Sequence, residues 1–335
     1  MLRIVSRRVM SKKIYYFILL LTIVLAVCAC AKAPLPGTVA DSASSDSTGN
    51  TEVRIIATQN FGKELLFDKT VPVSGNIDAL QALNEAAQVE TAYGGGFVNG
   101  IGNINSKYQG IKSVPMDWFF YINGIMANTG ALEYTLQDGD IEHWDYHNWG
   151  FQRANPAIIA GFPTTFRYGY GGNVNPTIIA WDGEYQEEAL RLEKELRDSG
   201  VRAISSKESV ELSKEEKESA HLIIIGSTEN GLVSELNQQW RRLGFWAYFE
   251  NGKLVTLGSD GKTGPIYGAG TGLIQATQNP WNPDGTGVCE NTTWMISGTD
   301  KTGVKSAVDI LLKSDDTLKY AFAAVIENRK VIRLP

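Results

Sequence analysis

The stretch from Trp118 to Asp140, WFFYINGIMANTGALEYTLQDGD, constrains this chain more than any other. Trp118 to Ile122 is a run of aromatic and β-branched residues, the composition that suits a pleated, half-buried surface. Asn123-Gly124 follows at once, a pair that tolerates the positive φ of a tight hairpin turn, and Asp138-Gly139 repeats that punctuation before Ile141. A strand, a turn and a further strand start are therefore expected. Alternation puts Trp118, Phe120 and Ile122 on one face, read as core, and leaves Phe119 and Tyr121 on the other, freer to meet a ligand.

The preceding residues supply the rest of a small domain. Glu52 to Thr58 and Lys69 to Val73 read as strands. A helix follows, with Asn76 as N-cap, Asp78 in the first turn and Ile77, Leu80, Leu83 and Ala87 along one face. Further strands are expected at Phe97 to Ile101 and Ile141 to Trp144. Tyr93 and Phe97 bracket three glycines, and Asn99, Asn103 and Asn105 line a strip of small polar residues that a ligand can approach closely.

These blocks resemble a known family. Val71-Pro-Val, Tyr93-Gly-Gly-Gly-Phe97-Val-Asn-Gly-Ile101, Trp118-Phe-Phe-Tyr-Ile-Asn-Gly124, then Gly130, Tyr134, Leu136 and Asp138-Gly139-Asp140 occur in the order of the bacterial domain similar to the C-terminal domain of transcobalamin and intrinsic factor. The resemblance covers residues 51 to 146. It implies a β-grasp-like α+β domain that closes over one face of a corrinoid such as cobalamin. A corrinoid presents a broad ring rimmed by amides, which calls for flat apolar contact and neutral hydrogen-bonding groups. The ligand-binding residues expected on this basis are Tyr93, Phe97, Asn99, Asn103, Trp118, Phe119, Tyr121 and Asn123.

The start of the chain gives an address. Arg3, Arg7, Arg8, Lys12 and Lys13 precede an apolar run from Ile14 to Val27, the pattern of a signal peptide over residues 1–29. Val27-Cys28-Ala29-Cys30 resembles a bacterial lipobox, with Cys30 as the residue acylated by diacylglycerol and palmitate. An uncleaved membrane anchor is the other reading, and the run is short of the ~20 apolar residues that span a bilayer. Both place the remainder outside the cytoplasm. Cleavage before Cys30 removes five basic and no acidic residues, so the formal net charge moves from −6 to −11, which argues against nucleic acid as a partner. Residues 30–50, rich in Ser, Ala, Asp, Gly and Thr, read as a flexible tether.

Two of the three histidines, His143 and His147, flank Trp144, Asp145 and Tyr146. On a continuing strand both point the same way as Asp145. They are read either as a solvated strand end or as metal ligands, to zinc or to a corrinoid cobalt. His221 is read as structural.

Past an aromatic connection over residues 148–175 the grammar changes to βαβ, and residues 176–335 read as an α/β domain with a mostly parallel sheet. Strands are expected at Thr177 to Trp181, Val201 to Ile204, Leu222 to Ile225 and Thr293 to Ser297. Helices are expected at Tyr185 to Arg197, after the Ser213/Glu216 capping box, at Leu232 to Trp240, Ile266 to Thr277 and Lys301 to Leu312. A hairpin should turn at Asn251-Gly252, and Tyr320 to Leu334 should close the sheet with a strand pair. Asn279-Pro-Trp-Asn-Pro283 weakly resembles α/β modules of surface-layer and polysaccharide-export proteins.

Gly268-Ala-Gly-Thr-Gly272 lacks the full dinucleotide-binding spacing, and no Ser sits in GxSxG. No catalytic set is legible. The chain thus reads as a lipid-anchored extracytoplasmic binding protein, not an enzyme and requiring no cofactor, that captures a corrinoid for a membrane transporter. The alternative is a surface-structural or adhesion module that binds protein or glycan.

Overall fold

A computed structural model describes residues 51–335, apart from Ser74, residues 109–113, Arg153, Asn230 and residues 314–315. The expected signal peptide, the acylation site Cys30 and the tether lie outside the described residues. Residues from 51 onward fall within one compact unit. The structure is mixed α and β, with sheets dominant and helices few.

In the first half the elements are β1 (Thr51–Gln59), β2 (Glu64–Val73), α1 (Ala79–Ala86), β3 (Val89–Ala92), β4 (Phe97–Ile101), β5 (Ile104–Asn105), β6 (Met116–Ile122), β7 (Ile125–Met126) and β8 (Ile141–Asn148). Five of them form a mixed sheet in the order β2-β1-β8-β6-β7, with only β1 and β8 parallel. The turn expected at Asn123-Gly124 joins β6 to β7, both residues having positive φ. Strands β3, β4 and β5 make a separate antiparallel ribbon. The helix begins two residues later than the sequence suggests. Asp78, not Asn76, is its N-cap, because the Asp78 carboxylate accepts the Gln81 N–H at 2.8 Å while the Gln81 side chain accepts the Asp78 N–H, a reciprocal capping box.

Register decides what each face of this sheet meets. Trp118, Ile122, Trp144 and Tyr146 share a face with Val53, Ile55 and Ala57, and that face is covered by Leu80, Leu83 and Ala86 of α1. The opposite face carries Phe119, Tyr121, His143, Asp145 and His147. It packs against the second half of the chain, where Tyr121 and Phe61 meet Phe322 edge-on at 5.5 Å and Phe61 meets Trp246 at 5.0 Å. Gly62, at φ +76°, is required at this junction, since a Cβ there would sit 1.8 Å from the Tyr320 carbonyl oxygen.

The second half contains α2 (Thr164–Tyr168), β9 (Thr177–Trp181), α3 (Gln186–Asp198), β10 (Ile204–Glu208), α4 (Lys214–Ser219), β11 (His221–Ile225), α5 (Gly231–Gln238), β12 (Ala247–Glu250), β13 (Lys253–Leu257), β14 (Thr263–Tyr267), β15 (Gly272–Gln278), β16 (Thr292–Gly298), α6 (Lys301–Leu311), β17 (Ala323–Glu327) and β18 (Lys330–Leu334). Seven strands pair in the order β10-β9-β11-β16-β15-β17-β18. Three of the six neighbouring pairs are parallel and three antiparallel, so the sheet is mixed where a mostly parallel one was expected.

The source of that difference is Ile266 to Thr277. It forms the end of β14 and most of β15 instead of a helix. Strand β15 lies between β16 and β17 and every residue in it is buried, so it offers no alternation by which to tell it from a buried helix. The strand expected at Val201 starts only at Ile204. The Ser213 capping box and the Asn251-Gly252 hairpin form as expected, with both turn residues at positive φ.

Candidate functional site

Strand β6 is paired with β8 along its whole length, but β7 covers its other edge only at Tyr121 and Ile122. Residues of even number direct their backbone groups to that second edge. The Met116 carbonyl accepts Lys107 N–H there and the Phe120 carbonyl accepts Ala127 N–H, each at 3.0 Å. Between them the Trp118 N–H is met by the carboxylate of its own neighbour, Asp117, at 2.9 Å. A gap in the ladder thus draws an acidic side chain to the strand edge.

A cleft of about 880 Å³ opens along this edge, within the range of small-molecule sites. Trp118, Phe119 and Phe120 of β6 form one wall together with Trp144 of β8. Tyr93 and Phe97 come from the β3-β4 ribbon, and Tyr108 and Trp149 from the loops flanking the sheet. Paired rings stiffen the walls. Phe120 stacks on Trp144 with centroids 4.7 Å apart, and Tyr108 meets Trp149 edge-on at 4.8 Å. The Trp118 indole N–H donates to the Ile104 carbonyl at 3.0 Å, which ties β6 to the ribbon across the cleft. Ser106, Asp117 and Thr129 supply the polar lining groups.

Of the residues expected from sequence, the structure brings Tyr93, Phe97, Trp118 and Phe119 to this cleft. The others lie elsewhere. Tyr121 is fully buried against Phe322, so the face read as free for a ligand is a packing face at Tyr121, while Phe119 of the same face reaches the cleft. Asn123 is buried in the turn, where its Nδ2 donates to Asp140 at 2.7 Å and to the Gly169 carbonyl at 2.9 Å, and its Oδ1 accepts the Ile141 N–H at 2.9 Å. Asn99 and Asn103 are not among the residues that line the cleft. Sequence reasoning misses Asp117, Tyr108, Phe120, Trp144 and Trp149 as lining residues. A carboxylate at the head of an aromatic strand is a readable signal for Asp117, whereas Tyr108 and Trp149 are joined only by tertiary structure.

His143 and His147 do point the same way, as alternation requires, but neither is solvated and neither lines the cleft. Burial pushes His143 down to about 4, so its ring is neutral. Thr58 Oγ1 gives its one proton to Asp145 Oδ2 at 2.6 Å, which leaves His143 Nε2, at 2.8 Å, to donate to the hydroxyl. His147 Nδ1 meets Asp145 Oδ1 at 2.7 Å, and its ring is sandwiched between Phe61 at 4.3 Å and Phe119 at 4.5 Å. Among the described residues no three His, Cys, Asp or Glu are grouped to hold a metal ion. The pair expected as metal ligands is thus part of the junction between the two halves. His221 is buried, its Nδ1 accepting the Thr292 N–H at 3.1 Å.

Burial also holds Asp117 above the ordinary carboxylate range, against the opposing pull of the Trp118 N–H and the Ser106 hydroxyl. The glycines at 268–272 form no anion cradle. The Gly270 N–H is taken by Asp300 at 2.6 Å, and Asp300 also caps α6 through the Gly303 N–H at 3.0 Å. Among the described residues no helix is long and apolar enough to cross a membrane.

No curated protein matches the chain. Among solved structures it is similar to the crystal structure of a "putative metal binding protein" from Ruminococcus gnavus ATCC 29149, at 15% sequence identity and a TM-score of 0.22, over 29% of this chain and 95% of that one. Residues 77–148, which run from the start of α1 to the end of β8 and carry most of the cleft, match the model of a family described as a domain of unknown function, DUF4430.

Proposed function

We propose that this chain is a binding protein, not an enzyme, and that the cleft along β6 captures an extended organic ligand with a flat apolar face. The observation that carries this is the cleft itself, in which eight of the lining residues are aromatic. A corrinoid is the ligand to test first. The first half is read as a β-grasp-like domain resembling the transcobalamin C-terminal domain, a reading supported by the strand order β2-β1-β8-β6-β7 with its single parallel pair. Acylation at Cys30 would hold residues 51–335 outside the cytoplasm, beside a transporter that receives the ligand. The second half braces the sheet from behind the cleft.

The deciding experiment titrates the chain from residue 51 onward with cobalamin and cobinamide, followed by absorption and calorimetry. Saturable equimolar binding, weakened by Phe120→Ala or Trp149→Ala with folding intact, is the expected result. Absence of binding at high micromolar concentration sinks the corrinoid reading. One observation favours the alternative of a surface module that contacts protein or glycan: Tyr93, which lines the cleft, is 90% exposed.

A further inference from the structure

Among its described lining residues the cleft holds one carboxylate and no Lys, Arg or His. That group is Asp117, which is only 8% exposed. No ion pair among the described residues includes it. Its Oδ1 accepts the Trp118 N–H, a neutral donor, the Ser106 hydroxyl is a second neutral donor, and His147 is its partner across the strands. The same cleft is lined by the aromatic rings of Trp118, Phe119, Phe120, Tyr108 and Trp149. Aromatic rings attract a cation through their quadrupole, and a desolvated carboxylate attracts it directly, while both disfavour an anion. The net charge of −6 adds the same preference at long range.

We infer that the ligand of this cleft carries a positive charge, seated between the aromatic rings and the Asp117 carboxylate. This rests on the reading of the cleft as a ligand site and names its chemical class. The charge belongs either to a flat organic cation or to the metal centre of a cationic macrocycle, and the test separates the two. Asp117 sits where the ladder of β6 is open, on an edge whose cleft is lined mainly by rings. A neutral ligand of the same shape gains the ring contact alone.

The experiment compares 1-methylquinolinium with quinoline, which is neutral at neutral pH, on the chain from residue 51 onward, by calorimetry and quenching of tryptophan fluorescence. The cation should bind at least about tenfold tighter. Asp117→Asn should remove the preference by weakening the cation more than quinoline. Should that variant fail to fold, Tyr93→Ala at the exposed rim carries the test, since it should weaken the cation more than the neutral ring. Equal affinity of the two probes, or a preference that survives Asp117→Asn, overturns the inference. Cobalamin binding without any preference for the cation overturns it too, yet leaves the cleft as a ligand site. Failure of all three probes removes both readings. Preference for the cation with cobalamin excluded assigns the charge to an organic cation; with cobalamin bound and lost on Asp117→Asn, it assigns the charge to the macrocycle.

Discussion

Glu142 and Asp145 lie three residues apart on β8, both fully buried, yet the faces they occupy treat a carboxylate in opposite ways. On the face covered by α1, Glu142 receives one hydrogen bond, from the Trp144 indole N–H at 2.5 Å, and its Oε2 has no partner. Burial pushes it up to about 8, and Asp140 and Asp78 add to the rise. On the face packed against the second half, Asp145 collects Thr58 Oγ1, the Phe61 and Gly62 N–H groups and His147 Nδ1. Burial alone would raise it, but the bonds to His147 and Thr58 win and hold it below the ordinary carboxylate range. The face covered by α1 therefore keeps a neutral acid, and the other keeps an anion at the junction. Burial does not decide ionisation; the count of donors does.

The sharpest way to break this contrast is Asp145→Ala. It strands two backbone N–H groups and His147 at a sealed junction, and a loss of ~3–5 kcal/mol is expected by urea denaturation. The pH dependence has a definite sign. Because the folded value is lowered, the stabilisation is present above the unfolded carboxylate value of about 3.9 and fades as pH falls below it. An Asp145→Ala protein that unfolds at the same urea concentration as the parent would show that the junction is held by its aromatic contacts alone.

Glu142→Gln probes the other face and should have the opposite outcome. With its folded value raised, Glu142 favours folding below the unfolded value of about 4.3, and that contribution is lost as pH climbs towards about 8. In the parent this contribution should fall by up to ~1.4 kcal/mol per pH unit across that window. The variant keeps an acceptor for the Trp144 indole and cannot ionise, so this loss should be absent from its profile and its stability should exceed the parent's near neutral pH by ~2–3 kcal/mol. Parallel pH profiles for the two proteins would mean that Glu142 reaches water. Phe120→Ala, on the same face, should cost less stability than Asp145→Ala because the ring is only half-buried, while ligand affinity falls by about tenfold or more.

Alternation makes the membership of each face legible in the sequence, since Trp118, Phe120 and Ile122 against Phe119 and Tyr121 follow from a period of two. What covers each face is not legible there. The covering elements, α1 and the Phe322 region, lie far away along the chain, so the local pattern leaves Tyr121 and the two histidines open when they are sealed. Local signals fare well: Asn123-Gly124, Asn251-Gly252 and the Ser213 box depend on neighbouring residues alone. Strand β15 reads as helix because a strand buried on both faces loses its period. The cleft is half legible. Tyr93, Phe97, Trp118 and Phe119 belong to conspicuous aromatic runs, whereas Tyr108 and Trp149 acquire meaning only when they meet at 4.8 Å.

The smallest effect should come from the rim of the junction. There Asp68 of β2 accepts Arg54 Nε at 2.8 Å and Nη2 at 2.6 Å, Tyr320 Oη at 2.5 Å, and lies 3.1 Å from Lys319 Nζ. The Arg54 hydrogen bond is the chief reason that Asp68 is held far below the ordinary carboxylate range. Four donors converge on it, as on Asp145, but the Arg54 side chain remains 33% exposed, so water and salt compete for the pair. Asp68→Asn should cost only ~1 kcal/mol, and the difference should shrink further at about 1 M salt, where the Debye length falls to ~3 Å. The loss from Asp145→Ala should hardly respond to salt. If the two substitutions proved equally costly and equally salt-sensitive, the exclusion of water at Asp145 would not be what separates the centre of the junction from its rim.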